Sequence, residues 1–322
     1  MENKLQRALK YASEEEKQSV FSQLMTEVSL DKVHEEVKDR TGTVHHSEFM
    51  GEAKERLKHW GMFMGLSSGY KDFDPLFKGF VAGELTVLGG YTSHGKTQFA
   101  ANFAYNISKA GHAVLFVTLE MTHEELETRF YRMAKDDGVS DEDFAKFPLY
   151  FQIQQSVDYK EVKLVAERAK GDNAEIVFID YLQYMTGDTR DERSELTRII
   201  KQLKKQALET NLPYVVLSQF SRPERDGRQF EPRPTILSFK GTSAIEQCAD
   251  ICMYAWREKR SDNAIEVGVI KNRNRGYPAD NVFVFNSSNG ATMTPIGIKL
   301  PDEDEEEAST IFPSNKRLGA GK

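Results

Sequence analysis

The distribution of apolar side chains changes character near Gly65. From there on, short apolar runs alternate with amphipathic stretches. Eight runs are predicted as strands: Leu85–Leu88, Ala113–Thr118, Leu149–Ile153, Ile176–Asp180, Tyr214–Ser218, Ile251–Ala255, Ala264–Lys271 and Val282–Asn286. The first five are largely apolar, as strands are when both faces of a sheet are covered. Between the first two, Phe99, Phe103 and Ile107 recur at four-residue spacing and Gly111 follows, which predicts a helix ended by glycine. Helical segments between several of these runs imply parallel strands joined by right-handed crossovers. The later runs follow one another without long helices and are predicted to extend the sheet antiparallel at one edge. The expected fold class is α/β, a mostly parallel central sheet flanked by helices.

Upstream of Gly65 the pattern differs. Residues 1–45 read as a short helical N-terminal segment, rich in charge, with an apolar stripe at Val20, Phe21, Leu24, Met25 and Val28. A polar break at Thr41-Gly42-Thr43 precedes Ser47, the expected N-cap of a helix spanning 46–62. Phe49, Ala53, Leu57 and Trp60 share one face of that helix. The face packs either on its own domain or on a neighbouring subunit. The α/β region is expected over 63–298, and 299–322 as an acidic, disordered tail.

Bulk properties narrow the class. With 39% hydrophobic and 29% charged residues the chain is ordinary for a soluble globular protein. It has no apolar run near the roughly 18 residues a membrane span needs, so a cytoplasmic location is expected. The net charge of −7 argues against a uniformly basic nucleic-acid binder. However, the acids Asp302 to Glu307 account for all but one of those charges, and local basic clusters remain free to meet phosphates. Cys248 and Cys252, four apart without further cysteines or nearby histidines, read as small buried apolar residues.

Gly90-Tyr91-Thr92-Ser93-His94-Gly95-Lys96-Thr97 carries the sharpest chemistry. Glycines let a loop curl so that successive N–H groups face phosphate oxygens, and the helix beyond it points its positive end at the same charge. The loop stands between a predicted strand and a predicted helix, the context this pattern requires. Lys96 is expected on the β- and γ-phosphates of ATP, and Thr97 on Mg²⁺. Gly90, Ser93, His94, Gly95 and Gln98 complete the expected nucleotide cradle. A merely structural glycine-rich turn is the bland alternative.

Ligands of a parallel sheet bind at the C-terminal ends of its strands. Polar residues follow four of the apolar runs: Glu120, Asp180, Ser218 with Gln219, and Lys271 with Arg273. Asp180 suits a Mg²⁺-holding role and Glu120 the activation of an attacking water. Thr122 with Glu125 already forms a capping box for the next helix, so Glu120 is not needed as a cap. Gln219 is placed to sense the γ-phosphate. Lys271-Asn272-Arg273-Asn274-Arg275-Gly276 reads equally as a solvated basic turn or as a source of a charge-stabilising guanidinium, in cis or from a neighbour.

Together these strings resemble the RecA-like C-terminal ATPase domain of DnaB-type replicative DNA helicases, from about Gly65 to about Pro295. The matching segments, in order, begin with Gly65 to Asp74, Ser93 to Thr97, and Thr118-Leu119-Glu120-Met121 with Arg129. Ile179 to Gln183, Leu217-Ser218-Gln219, Ile245-Glu246-Gln247 with Ala249-Asp250, and Lys271 to Asn274 come after them. The resemblance implies Glu120 as the base, Arg129 at the nucleotide, and Lys271 with Arg273 as a finger pair reaching the ATP of the adjacent subunit. It implies that Phe239 to Ala244 lines a central channel, with Lys240, Gly241, Thr242 and Ser243 on single-stranded DNA. Arg190 and Arg193 in the 187–193 stretch form a second channel candidate.

The implied partners are single-stranded DNA, further copies of the chain in a ring of six, and a primase or helicase loader. The implied activity is ATP-driven unwinding. A RecA-fold DNA-dependent ATPase that acts in recombination, or as a regulatory ring without unwinding, shares the nucleotide residues and stands as the alternative. A non-catalytic adaptor is a third. Family members often carry arginine and glutamate where Lys240 and Gly241 stand. Set beside the family's helical collar, the N-terminal region reads as shorter, a reduced form that a small phage- or plasmid-type member would fit.

Overall fold

The computed structural model of this chain describes residues 46–51, 54, 65–153, 157–158, 161–180, 182, 185–186, 192–221, 231–239, 242–259, 263–273, 282–287 and 290–299. The chain divides into two units, Met1–Trp60 and Gly61–Lys322. Of the first, a 3-10 turn His46–Phe49 is described, and Ser47 lies inside that turn rather than ahead of it. The N-terminal segment 1–45, most of the 46–62 helix and the acidic tail fall outside the described residues.

Among the described residues, nine strands build the second unit's main sheet. They are β1 Leu85–Gly90, β2 Val114–Thr118, β3 Leu149–Ile153, β4 Ile176–Asp180, β5 Tyr214–Gln219, β6 Ile251–Trp256, β7 Ala264–Asn272, β8 Val282–Asn286 and β9 Thr294–Lys299. Their spatial order is β9-β8-β7-β6-β1-β5-β4-β2-β3. The six strands from β6 to β3 are parallel, and β7, β8 and β9 each pair antiparallel with the strand before. A separate two-residue pairing joins Val157–Asp158 to Met185–Thr186.

Alternation along the central strands divides the core into two layers, since successive side chains leave opposite faces. Leu88, Phe116, Phe178, Leu217 and Met253 face one side, where α1 (Lys96–Lys109) and α2 (His123–Asp136) cover them. Phe99, Phe103 and Ile107 of α1 are buried there, as their spacing predicts. Val87, Val117, Ile179, Val216 and Tyr254 face the other side. There α3 (Val162–Gly171), α4 (Glu192–Thr210) and α5 (Thr242–Cys248) cover them. Both cysteines are free; Cys252 is buried in β6 and Cys248 half-buried at the end of α5.

The segment ahead of β1 is a local knot that anchors the far end of the sheet. Asp74 accepts hydrogen bonds from the Ser68 N–H at 2.8 Å and from the Ser67 hydroxyl at 2.5 Å. Tyr70 donates its hydroxyl to the Met293 carbonyl at 3.0 Å. Asn102 of α1 completes the clamp, bonding the Ala291 carbonyl at 2.8 Å and the Met293 N–H at 2.9 Å. The loop after β8 is thereby fixed against α1.

Candidate nucleotide site

β1 ends where its backbone leaves the sheet, and the loop Tyr91–Gly95 turns directly into α1. Gly95 has φ +89°, and a Cβ there would lie 2.6 Å from the Ile265 Cδ1. At Gly90 an added Cβ would meet the Lys96 Cγ at 2.7 Å and the Ala255 carbonyl oxygen at 2.8 Å. Only glycine lets the lysine stem fold back across the strand end. α1 has no side-chain cap, so the N–H groups of its first turn have no protein side chain to meet there, the arrangement of a helix N-terminus that receives an anion.

Sheet register brings the other groups here. Gly90 lies opposite Gln219 of β5, and Gln219 donates through Nε2 to the Thr92 hydroxyl at 2.7 Å. Thr118 of β2 lies opposite Asp180 of β4, and the Leu119 N–H bonds the Asp180 carbonyl at 2.8 Å. That pairing suspends the Glu120 loop beside the end of β4. The Thr122–Glu125 capping box, complete in both directions, starts α2 immediately afterwards and leaves Glu120 outside the cap. Arg129, two turns into α2, comes round to the same side.

The result is a cleft of about 420 Å³ lined by Ser93, Gly95, Lys96, Thr97, Gln98, Glu120, Arg129 and Gln219, together with Thr92, Arg257 and Gly290. Asp180, at the end of β4 among Thr97, Lys96, Glu120 and Arg129, has no exposed surface, and neither carboxylate oxygen is in a direct hydrogen bond. Burial pushes the Asp180 carboxyl up to about 6 and the negative charge of Glu120 adds to this, while Thr97, Lys96 and Arg129 hold it down. Burial pulls Lys96 and Arg129 below their ordinary range, opposed in both by Asp180 and Glu120. A desolvated carboxylate beside a threonine hydroxyl, with unmet oxygens, fits a divalent cation bound through few protein ligands and the rest from phosphate and water.

Three placements differ from expectation. The His94 side chain is fully buried away from the cleft; its Nδ1 accepts from the Arg257 N–H at 3.0 Å, leaving Nε2 to face Glu231 at 3.8 Å. What His94 offers a nucleotide is backbone alone. Lys271 and Arg273 were grouped with the strand-end residues of the cleft, but β7 runs antiparallel to β6, with Asn272 opposite Ile251. They therefore emerge at the opposite end of the sheet's strands, a full strand length, roughly 20 Å, from their own cleft. In the segment expected to line a channel, Phe239 and Ala244 are buried in the core instead. Phe239 stacks edge-on against Phe220, and both crowd Gly89 of β1. Ser243 is exposed at the start of α5; the Thr242 and Arg193 side chains, Lys240, Gly241 and Arg190 lie outside what the structure describes.

Arg257 and Gly290 line the cleft without having been anticipated. Arg257 comes after the apolar run of β6, a parallel strand adjacent to β1. The strand-end rule applied to β6 rather than to β7 points to it. Gly290 arrives from the distant loop clamped by Asn102, for which no local signal exists.

The profile of the DnaB-like helicase C-terminal domain matches residues 65–289, which include every cleft residue named above except Gly290. The chain belongs to that family. Among similar proteins, the replicative DNA helicase DnaB of Rickettsia felis is 29% identical over 245 residues, covering 66% of this chain and 49% of that protein. The replicative DNA helicase DnaC of Bacillus subtilis is 28% identical over 243 residues, covering 66% and 53%. The chain thus spans about half the length of the curated relatives it matches. A solved DnaB-like replicative helicase, described with its primase interactions, superposes with a TM-score of 0.66 at 22% identity, covering 87% of this chain and 75% of that one. The RadB recombinase superposes at 0.53 and 20% identity, covering 72% of this chain and all of the recombinase. Likenesses at these identities establish the RecA-like fold alone. Among the described residues, no helix is long and apolar enough to cross a membrane.

Proposed function

We propose that this chain is the ATPase motor of a replicative DNA helicase, a ring of identical subunits that moves on single-stranded DNA and separates duplex strands. The observation that carries this reading is the division of the site between the two ends of the sheet's strands. The phosphate loop, Glu120 and Asp180 stand at one end; Lys271 and Arg273 stand at the other. A guanidinium that cannot reach its own cleft is suited to complete a neighbour's.

In the proposed reaction the loop N–H groups and Lys96 hold the β- and γ-phosphates of ATP. Thr97 and Asp180 hold Mg²⁺, which neutralises charge on the phosphate oxygens when bound. Glu120 takes a proton from water as the water oxygen bonds to the γ-phosphorus and the bond to the bridging oxygen breaks. Gln219 orients that water or senses the γ-phosphate through its amide. Arg129 from the same chain and Arg273 from the next stabilise the charge on the transferring group. Phe220, next to Gln219, pairs with Phe239, and the chain after Phe239 is proposed to follow the DNA backbone. The 46–62 helix is proposed to dock on a neighbour, and a primase or loader to bind the assembled ring.

The test is displacement of one strand from a forked duplex in the presence of ATP and Mg²⁺. ATP-dependent displacement that disappears in Arg273→Ala supports the proposal. Turnover stimulated by single-stranded DNA with no displacement overturns the unwinding reading in favour of a RecA-like ATPase of another kind.

A further inference from the structure

Asp250, between α5 and β6, is buried with its side chain 4% exposed and belongs to no part of the cleft. Its Oδ2 accepts from the Leu85 N–H at 2.8 Å and from Lys204 Nζ at 2.7 Å. Lys204, from α4, is itself anchored on the Gly83 carbonyl at 2.9 Å. One carboxylate oxygen is therefore committed. The other, Oδ1, faces Arg273 Nη1 at 3.6 Å, and the Asp250 carbonyl accepts the Arg273 N–H at 2.8 Å. The remaining contacts of the basic pair go to the C-terminal end of α5. Arg273 donates to the Gln247 carbonyl, and Lys271 donates to the carbonyls of Glu246 and, at 2.6 Å, Ala249.

We infer that Asp250, held by Lys204, is a positioning residue that aims Arg273 out of this strand end toward a neighbouring subunit's phosphates. Three features carry this. The carboxylate is fixed on one oxygen by two donors, so its orientation does not depend on the arginine. The distance to Arg273 is that of an ion pair rather than a close hydrogen bond. The arginine side chain is 42% exposed, so the pair contributes little to stability and restricts direction more than it locks position. The same anchorage ties the finger to α5, whose first turn adjoins the segment proposed to meet DNA. Movement there would be carried along one short helix to Arg273. This inference rests on the reading of Arg273 as a finger acting on an adjacent cleft.

Co-assembled variants of the full chain test it. Arg273→Ala keeps its cleft but lacks a finger, and Glu120→Gln keeps its finger but has a dead cleft. Recovery of ATP turnover on mixing these two establishes action between subunits; no recovery refutes that reading, whatever the behaviour of Asp250. Asp250→Asn alone is expected to lower kcat about 10- to 100-fold, with KM for ATP unchanged within about twofold. Mixed with Glu120→Gln it should recover, because the sound finger serves its sound cleft. Mixed with Arg273→Ala it should not. The reverse sorting, or an unchanged kcat, overturns the inference and leaves Asp250 as a support for its own β1. Lys204→Gln should sort as Asp250→Asn does, and Lys204→Arg should retain turnover. This second pair keeps the test decisive if Asp250→Asn does not fold.

Discussion

Asp180→Asn separates the cost of burying this carboxylate from its use. In the metal-free protein burial raises its pKa from 3.8 to about 6. A raised folded-state value means that the stability this group contributes is fully present below about pH 4 and is lost as pH rises through about 6. Two units correspond to about 3 kcal/mol at the limit, and integration from about pH 4 to about pH 7.5 gives a loss of about 2 kcal/mol. Asparagine does not titrate, so the variant should not show that loss. Its own unmet amide costs about 1–3 kcal/mol at every pH, which makes the absolute comparison ambiguous but leaves the pH dependence clean. Urea unfolding of both proteins in the presence of a chelator reads the difference. The variant should gain about 2 kcal/mol on the parent across that pH range, while its Mg²⁺-dependent ATP turnover is abolished. A stability difference that is flat with pH, or that moves the other way, refutes the argument that Asp180 is ionised at a desolvation cost.

Other outcomes rest on the same geometry. Glu120→Gln should lower ATP turnover by about 10²- to 10⁴-fold while a fluorescent ATP analogue still binds, because the group acts on a proton and not on the phosphates. Gly95→Ala places a Cβ at positive φ against Ile265 and should cost about 1–3 kcal/mol of stability, read in thermal or urea unfolding, and weaken nucleotide binding in titration. The Cys252 thiol, pushed up to about 12 by burial, should resist a thiol-specific reagent in the native protein and react only on unfolding. Rapid native labelling at Cys252 would contradict its placement in β6.

The parallel half of the sheet was legible because its strands are covered on both faces and so are apolar almost throughout. β9 was not: Pro295 and Gly297 interrupt it, Ile296 and Ile298 are half exposed, and an edge strand is stabilised by pairing rather than by pattern. The cleft was legible where chemistry and strand direction agree, at Lys96, Thr97, Glu120, Asp180 and Gln219. It misled at Lys271 and Arg273, because a strand end has meaning for ligand binding only once the direction of that strand is known. The antiparallel edge was anticipated, yet its consequence for these two residues lay in the pairing of β7 with β6. His94 occupies a position in the loop where any residue satisfies the motif, so nothing in the string distinguishes a phosphate contact from a core side chain. Arg257 was recoverable from the rule already in use; Gly290, brought from afar by Asn102, was not.

The reversal at β7 has an arithmetical result. If Arg273 completes a neighbour's cleft, as proposed, the receiving and donating ends of a protomer lie on opposite rims, and it would be satisfied only head to tail. Any open row of such protomers would then leave one vacancy at its terminus, and only closure on itself would make working sites equal in number to subunits. Loading onto a strand by opening the circle would therefore silence a single station, and resealing would restore it.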